Sequence, residues 1–231
     1  MTDQHELMVE VLRCAGGDAV EDHLPSGYGG KKADIVFPDA DIVVEVKSIA
    51  TDRAASPEVA GAIVMMFQKN VSEGAPIIFG EVTIGMHDLP VPIAHKALRI
   101  MGKRVQREAA EANKQIKATA AALGMPNPYG LLVFITPPFR LDRETIVWLF
   151  GDAVKGGTCR SVDGLLVVES LAGTEGADPL QSNSFISFHS RDGRECPMVV
   201  REAIGAAWGT VTGQRMNRAD AGDFGVLGAR S

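Results

Sequence analysis

The sequence predicts an α/β fold in which helices flank a mixed central β-sheet, and three segments carry this prediction. Residues 31–48 (KKADIVFPDADIVVEVKS) contain two stretches rich in Ile, Val and Phe around a turn, which is typical of a β-hairpin. Residues 93–123 repeat apolar side chains every three or four positions, as a long amphipathic helix does. Residues 129–136 (YGLLVFIT) form an apolar run with the length of a buried strand.

The first part of the chain contains further helix and strand signals. Apolar residues at helical spacing predict a first helix that ends before Gly16, and residues 19–24 suggest a short strand. Residues 57–70 have helical periodicity. Residues 76–86 predict one strand, or a bent pair of strands around Gly80.

The remaining elements follow the long helix, which Gly102 is expected to kink or to split in two. Besides the strand at 129–136, we predict helices over residues 143–154 and 199–208, and strands over residues 162–169 and 185–189. These elements form one domain over residues 1–208, with an insertion at about residues 50–92. Residues 209–231 are polar and glycine-rich, which predicts a flexible C-terminal tail.

The register of the predicted hairpin decides which side chains share a face of the sheet. A four-residue turn over residues 38–41 pairs Phe37 with Ile42. The same register places Asp34 opposite Glu45, with Cβ atoms roughly 5 Å apart. A turn that is one residue shorter would move Asp34 to the other face, so the prediction depends on the register.

A third side chain joins this pair, because residues two apart on a strand share a face. Lys47 therefore lies beside Glu45, whereas Val46 points to the opposite face. A carboxylate within such an apolar strand is costly unless it is paired or binds a metal. Two facing carboxylates also raise each other's pKa unless a cation lies between them.

The cation that suits these residues is Mg²⁺, which binds one or two carboxylates together with water and phosphate oxygens. Asp34, Glu45 and Lys47 thus point to a magnesium-dependent phosphodiesterase site. Lys47 could orient the attacking water or stabilise charge in the transition state. The same side chains also fit a solvated sheet face, or a metal-free ion pair in which Lys47 only neutralises the two acids.

A helix, a hairpin bearing Asp34 and the string Glu45-Val46-Lys47-Ser48, a long helix and a buried strand occur in this order. The order resembles the PD-(D/E)xK nuclease superfamily, the restriction-endonuclease-like fold that includes archaeal-type Holliday junction resolvases. The similarity covers roughly the first 136 residues. The insertion at about residues 50–92 departs from the pattern, as does Ala33 in place of the signature proline.

The resemblance implies a restriction-endonuclease-like core and a metal-dependent endonuclease that hydrolyses DNA. Asp34, Glu45 and the carbonyl of Val46 would be the Mg²⁺ ligands, and Mn²⁺ would be able to substitute. Lys47 would position or activate the water. A glutamate of the first helix often joins the catalytic residues of such enzymes, which here is Glu6, with Glu10 as a competitor.

Two further expectations come from the same resemblance. Members often carry a polar residue on the helix after the hairpin, for which Gln106, Lys114 and Gln115 are candidates. Many nucleases of this fold act as dimers, so the resemblance also implies a homodimer.

The distribution of charge indicates the surface that would contact phosphates. The net charge is −6, which argues against a general nucleic-acid coat, yet residues 95–117 carry seven basic and two acidic side chains. We expect nucleic acid to contact this helix and the glycine-rich loop before the hairpin. The candidate contacts are Tyr28, Lys31, Lys32, Lys103, Arg104, Arg107 and Lys114. A solvated helix face would have the same composition.

The sequence lacks the patterns that indicate disulfide-rich, zinc-binding, membrane or secreted proteins. Cys14, Cys159 and Cys196 have neither disulfide nor zinc spacing, and Cys14 is expected to pack in the core. No apolar run is long enough to span a bilayer and no secretory segment is evident, so we expect a cytoplasmic protein without membrane contact. The alternative to a nuclease is a non-catalytic module of the same fold, used for nucleic-acid binding or protein assembly.

Overall fold

The computed structural model describes residues 3–49, 56–80, 82–136, 143–170, 184–191 and 193–214. Within these residues the helices are α1 (Gln4–Cys14), α2 (Val20–His23), α3 (Pro57–Lys69), α4 (Val91–Met101), α5 (Lys103–Ala122), α6 (Arg143–Lys155) and α7 (Met198–Thr212). The strands are β1 (Asp18–Ala19), β2 (Ile35–Phe37), β3 (Ile42–Ser48), β4 (Tyr129–Thr136), β5 (Gly164–Glu169) and β6 (Phe185–Ser190). Short 3-10 turns lie at Pro38–Ala40, Val71–Glu73 and Met86–Asp88.

The described strands form one six-stranded sheet whose order in space follows the chain, from β1 at one edge to β6 at the other. β1, β2 and β3 pair antiparallel, β3, β4 and β5 pair parallel, and β6 runs antiparallel to β5. The predicted α/β class with a mixed sheet is therefore confirmed. β3 and β4 occupy the centre, which explains why both are almost continuously apolar.

Two hydrophobic clusters cover the two faces of the sheet. On one face, α1 and α7 pack through residues such as Leu12 and Trp208 onto Val46. On the other face, α5 and α6 pack onto Val43, with Ile116 of α5 almost fully buried. Alternate residues of β3 therefore face different helical layers, as the two-residue period of a strand requires.

The hairpin has the predicted register, because Phe37 pairs with Ile42. The turn between them is the 3-10 turn Pro38–Ala40, followed by Asp41 with a left-handed φ of 54°. Aspartate tolerates this conformation better than most residues, so the sequence supports the turn. β2 begins only at Ile35, which places Asp34 just before the strand rather than within it.

Gly102 separates α4 from α5, so the long helical segment is split rather than only kinked. A Cβ atom at this position would lie 2.1 Å from Cδ1 of Leu149, a fully buried residue of α6. Glycine therefore permits the close approach of α6 to the junction between the two helices.

The strand predicted over residues 76–86 is wrong. The described residues of this segment form no strand, and the 3-10 turn at Met86–Asp88 ends it. Ile78 and Ile84 pack in a separate cluster around Phe67 of α3. Part of the apolar pattern is thus covered by the helices α3 and α4 of the insertion, whereas Ile77, Phe79 and Val82 are exposed.

Three further predictions need correction. The strand expected at residues 19–24 is limited to β1, because the chain turns into α2 at Val20. The flexible tail expected over residues 209–231 is wrong for residues 209–212, which belong to α7, and the rest of that prediction falls mainly on residues 215–231, which lie outside the described residues. Cys14 is exposed rather than packed in the core, because the buried stripe of α1 ends at Leu12.

No helix in the described ranges combines the length and the apolar character that crossing a membrane requires.

Replacing Gly102 by alanine is expected to lower the free energy of unfolding by about 1–3 kcal/mol, because the new methyl group would overlap Leu149. Gly151→Ala in α6 is the matched control. No atom lies within 4 Å of a Cβ at Gly151, so this change should be neutral or stabilise by up to about 1 kcal/mol. Urea denaturation measures both variants, and equal stabilities would contradict the close approach.

Candidate functional site

Asp34 is fixed by main-chain contacts to β3 and to the start of α2. Its N–H donates to the carbonyl of Val44, and its carbonyl accepts from the N–H of Val20, both at 3.1 Å. Its side-chain Oδ2 accepts a hydrogen bond from the N–H of Val46 at 2.8 Å. The N–H and carbonyl of one strand residue point to the same side, so the Val46 carbonyl also faces Asp34.

Glu45 is a carboxylate buried in the central strand, only 1% exposed. Its Oε1 accepts from Nζ of Lys47 at 2.7 Å, whereas its Oε2 has no hydrogen-bond partner among the described residues. Burial, and then repulsion from Asp34, raises the pKa of Glu45 to about 8, and Lys47 opposes this rise. A buried carboxylate oxygen without a partner is costly, so a hydrogen-bond donor or a cation beside Oε2 would stabilise the buried Glu45.

Lys47 connects the hairpin to α5. Its Nζ donates to Oε1 of Gln115 at 2.8 Å, and Nε2 of Gln115 donates to the carbonyl of Lys32 at 3.0 Å. Of the three polar candidates on this helix, Gln115 is therefore the one that contacts the hairpin. Gln106 instead binds a carboxylate of α6, and Lys114 pairs with an acidic residue of its own helix.

His5 belongs to the site, although the sequence analysis did not single it out. It lies in the first turn of α1, and its Nε2 is 3.4 Å from Oδ1 of Asp34. The contact with the Asp34 carboxylate raises the pKa of His5. No local pattern marks this residue, because the contact depends on how α1 packs across the sheet.

A cleft of about 1170 Å³ opens beside Asp34. α1 forms one wall, which includes His5, Glu6 and Glu10, and Gln115 contributes to the lining. Glu6 and Glu10 are both exposed on this wall, so the structure does not choose between them. Glu45 and Lys47 do not line the cleft; Lys47 contacts Gln115, which does, and Glu45 contacts Lys47.

The donor atoms at the hairpin suit a hard cation such as Mg²⁺. Asp34 and Glu45 supply carboxylate oxygens, and Oε2 of Glu45 is unsatisfied within the described residues. The described part of the chain contains no group of three or more His, Cys, Asp or Glu side chains able to hold an ion together. Water or phosphate would therefore complete the shell, which is the usual mode of Mg²⁺ binding.

The predicted phosphate contacts differ in their distance from this site. Lys31 and Lys32 directly precede the hairpin, and Lys32 lines the cleft. The hydroxyl of Tyr28 donates to the carbonyl of Lys31 at 3.3 Å, so this tyrosine makes a hydrogen bond within its own loop. Lys103 and Arg104 begin α5, about 18 Å along the helix axis from Gln115, so they lie apart from the hairpin.

Four of these basic side chains already have acidic partners. The ion pairs are Lys31–Glu111, Lys114–Glu111, Lys32–Glu21 and Arg107–Glu108. Exposed pairs of this kind contribute only about 0–1 kcal/mol, so a phosphate group could displace the carboxylates.

Comparisons with protein-family models, with curated proteins and with solved structures found no match. Function is therefore inferred from the site itself, which combines a buried acid, a second acid, a lysine and a histidine beside an open cleft.

The pKa of Glu45 predicts how stability depends on pH. The folded-state pKa of about 8 exceeds the ordinary value of 4.5, so folding disfavours the ionised carboxylate. This penalty is absent below about pH 4.5, grows as the pH rises, and is complete above about pH 8, where it is on the order of a few kcal/mol.

Glu45→Gln removes this titration, so without divalent cations its unfolding free energy should fall less between about pH 5 and about pH 8.5 than that of the wild type. Urea denaturation at both pH values gives the comparison. Glu144→Gln, at an exposed position of α6, is the control and should follow the wild type. Parallel pH curves for wild type and Glu45→Gln would show that Glu45 titrates normally.

Proposed function

We propose that this protein is a magnesium-dependent phosphodiester hydrolase that acts on DNA. One observation carries the proposal: among the described residues, the buried Glu45 has an unsatisfied oxygen, and the next residue, Val46, donates its N–H to the Asp34 carboxylate. Two neighbouring carboxylates of this kind are retained in a protein when positive charge neutralises them. Lys47 contacts only one of the four carboxylate oxygens of Asp34 and Glu45.

The residues fit the roles that a divalent cation requires. Asp34, Glu45 and the carbonyl of Val46 would hold the ion, which would act as a Lewis acid on the phosphate and lower the pKa of bound water. Lys47 is held by Glu45 and Gln115, so its ammonium group is already oriented at the site. A fixed positive charge of this kind stabilises the charge that develops on a phosphate in the transition state.

The cleft carries both basic and acidic side chains, so a polyanionic substrate would enter it together with cations. Lys32 lies in the cleft and Lys31 lies next to it, while exposed lysines and arginines follow along α5. Glu6, Glu10 and Glu21 also line the cleft and would repel phosphate. Divalent cations would screen these acids, so binding as well as hydrolysis should depend on magnesium.

Nicking of supercoiled plasmid DNA with and without Mg²⁺ tests this function. Glu45→Gln and Lys47→Met should each reduce the rate by about 100-fold or more, because each removes a group that acts on the transition-state charge. Glu144→Gln is the control and should retain the wild-type rate. Cleavage that persists in both site variants, or that persists without divalent cations, would refute the proposal.

Magnesium affinity should increase with pH, because the ion must displace the proton of Glu45. With a pKa of about 8, Glu45 is mostly protonated at neutral pH, so the affinity should rise up to about tenfold per pH unit and level off above about pH 8. Isothermal titration calorimetry at several pH values measures this slope. Glu45→Gln should bind more weakly and with less dependence on pH, and an equal slope in that variant would contradict the assignment.

A non-catalytic assembly module is the second candidate, and the surface of the insertion favours it. Of the nine large hydrophobic side chains exposed among the described residues, six lie between residues 65 and 91. Their concentration is typical of a protein-binding surface. Binding of DNA without turnover in Mg²⁺ or Mn²⁺, together with an unchanged magnesium titration in Glu45→Gln, would support this candidate over the nuclease.

A further inference from the structure

The two oxygens of the Asp34 carboxylate have different partners. The N–H of Val46 donates to Oδ2 at 2.8 Å, so this oxygen is held by the edge of β3. Oδ1 lies 3.4 Å from Nε2 of His5, which approaches from α1. Because Oδ2 is already engaged by the main chain, Oδ1 is the atom better placed to serve a ligand in the cleft, and His5 is its neighbour.

The position of His5 is itself fixed by the fold. The preceding residue, Gln4, is buried, and its Nε2 donates to the carbonyl of Ser170 at 3.0 Å. Two and three residues after His5, Leu7 and Met8 of α1 are buried in the core that α1 forms with the sheet. The first turn of α1 is therefore anchored on both sides of His5, so the imidazole is presented to Asp34 by a rigid element.

We propose, on the basis of the nuclease function argued above, that His5 is a positioning residue for magnesium. Its Nε2 holds Oδ1 of Asp34 in the orientation that a divalent cation in the cleft requires. Partners that orient a ligating carboxylate in this way usually account for about 10- to 100-fold in metal affinity.

Two roles of His5 predict opposite changes in magnesium affinity when the residue is removed. A positive charge on His5 would repel Mg²⁺, so a histidine that only balanced the two acids would weaken binding rather than support it. Removal of such a group would tighten the complex, whereas removal of a positioning group would loosen it.

The experiment measures Mg²⁺ binding by isothermal titration calorimetry at one fixed pH for His5→Ala and His5→Gln. The amide nitrogen of glutamine can replace Nε2 as a donor without carrying charge. Positioning predicts that His5→Ala binds about 10- to 100-fold more weakly, while His5→Gln stays within about threefold of the wild type. Tighter binding in both variants, or no change in His5→Ala, would overturn the inference.

His23→Ala is the matched control, because His23 also contacts an aspartate, Asp18 at 3.0 Å, but lies outside the cleft lining. Its magnesium affinity should equal that of the wild type, and urea denaturation of all variants separates loss of the ion from loss of the fold. If the wild type binds no Mg²⁺, the proposed function itself fails. If the wild type binds Mg²⁺ and His5→Ala binds equally well, only the role of His5 is refuted.

Discussion

The burial of Glu45 in the central strand is the constraint on which the candidate site depends. β3 has neighbours on both sides and helical layers on both faces, so an acid within it is removed from water almost completely. Lys47 and Gln115 offset part of the resulting penalty. The remaining penalty is visible in the raised pKa of Glu45 and in its unsatisfied oxygen, and a divalent cation would remove both.

The site also lies where the pairing between β2 and β3 stops. β2 begins at Ile35, while β3 continues to Ser48, so the backbone of Val46 meets a side chain instead of another strand residue. The Asp34 carboxylate accepts the hydrogen bond from the Val46 N–H. The cleft lies beside Asp34, where the pairing of β2 with β3 ends. α1 and α5 approach this point from opposite faces of the sheet, which brings His5 and Gln115 to the same hairpin.

Local rules predicted the hairpin but not what surrounds it. The pairing of Phe37 with Ile42 follows from a turn of four residues, so the register of β2 and β3 could be predicted from the sequence. The ladder ends at Ile35, and the Asp34 N–H donates to the carbonyl of Val44, so the predicted pairing of Asp34 with Glu45 does not follow from that register alone. His5 could not be found in this way, because its contact depends on the angle at which α1 crosses the sheet. The strand predicted over residues 76–86 failed for a related reason: Ile78 and Ile84 pack against the cluster of α3 and α4, which no short window of sequence reveals.

The hydrogen bond from Gln4 to Ser170 joins the beginning of the first helix to the end of the fifth strand. During synthesis the two acids and the lysine leave the ribosome early, but the first helix cannot be anchored until residue 170 has emerged. For most of translation, a nascent chain thus carries Asp34, Glu45 and Lys47 without the helix that forms one wall of the cleft. The order of residues along the chain therefore makes the candidate site one of the last parts of the molecule to be completed.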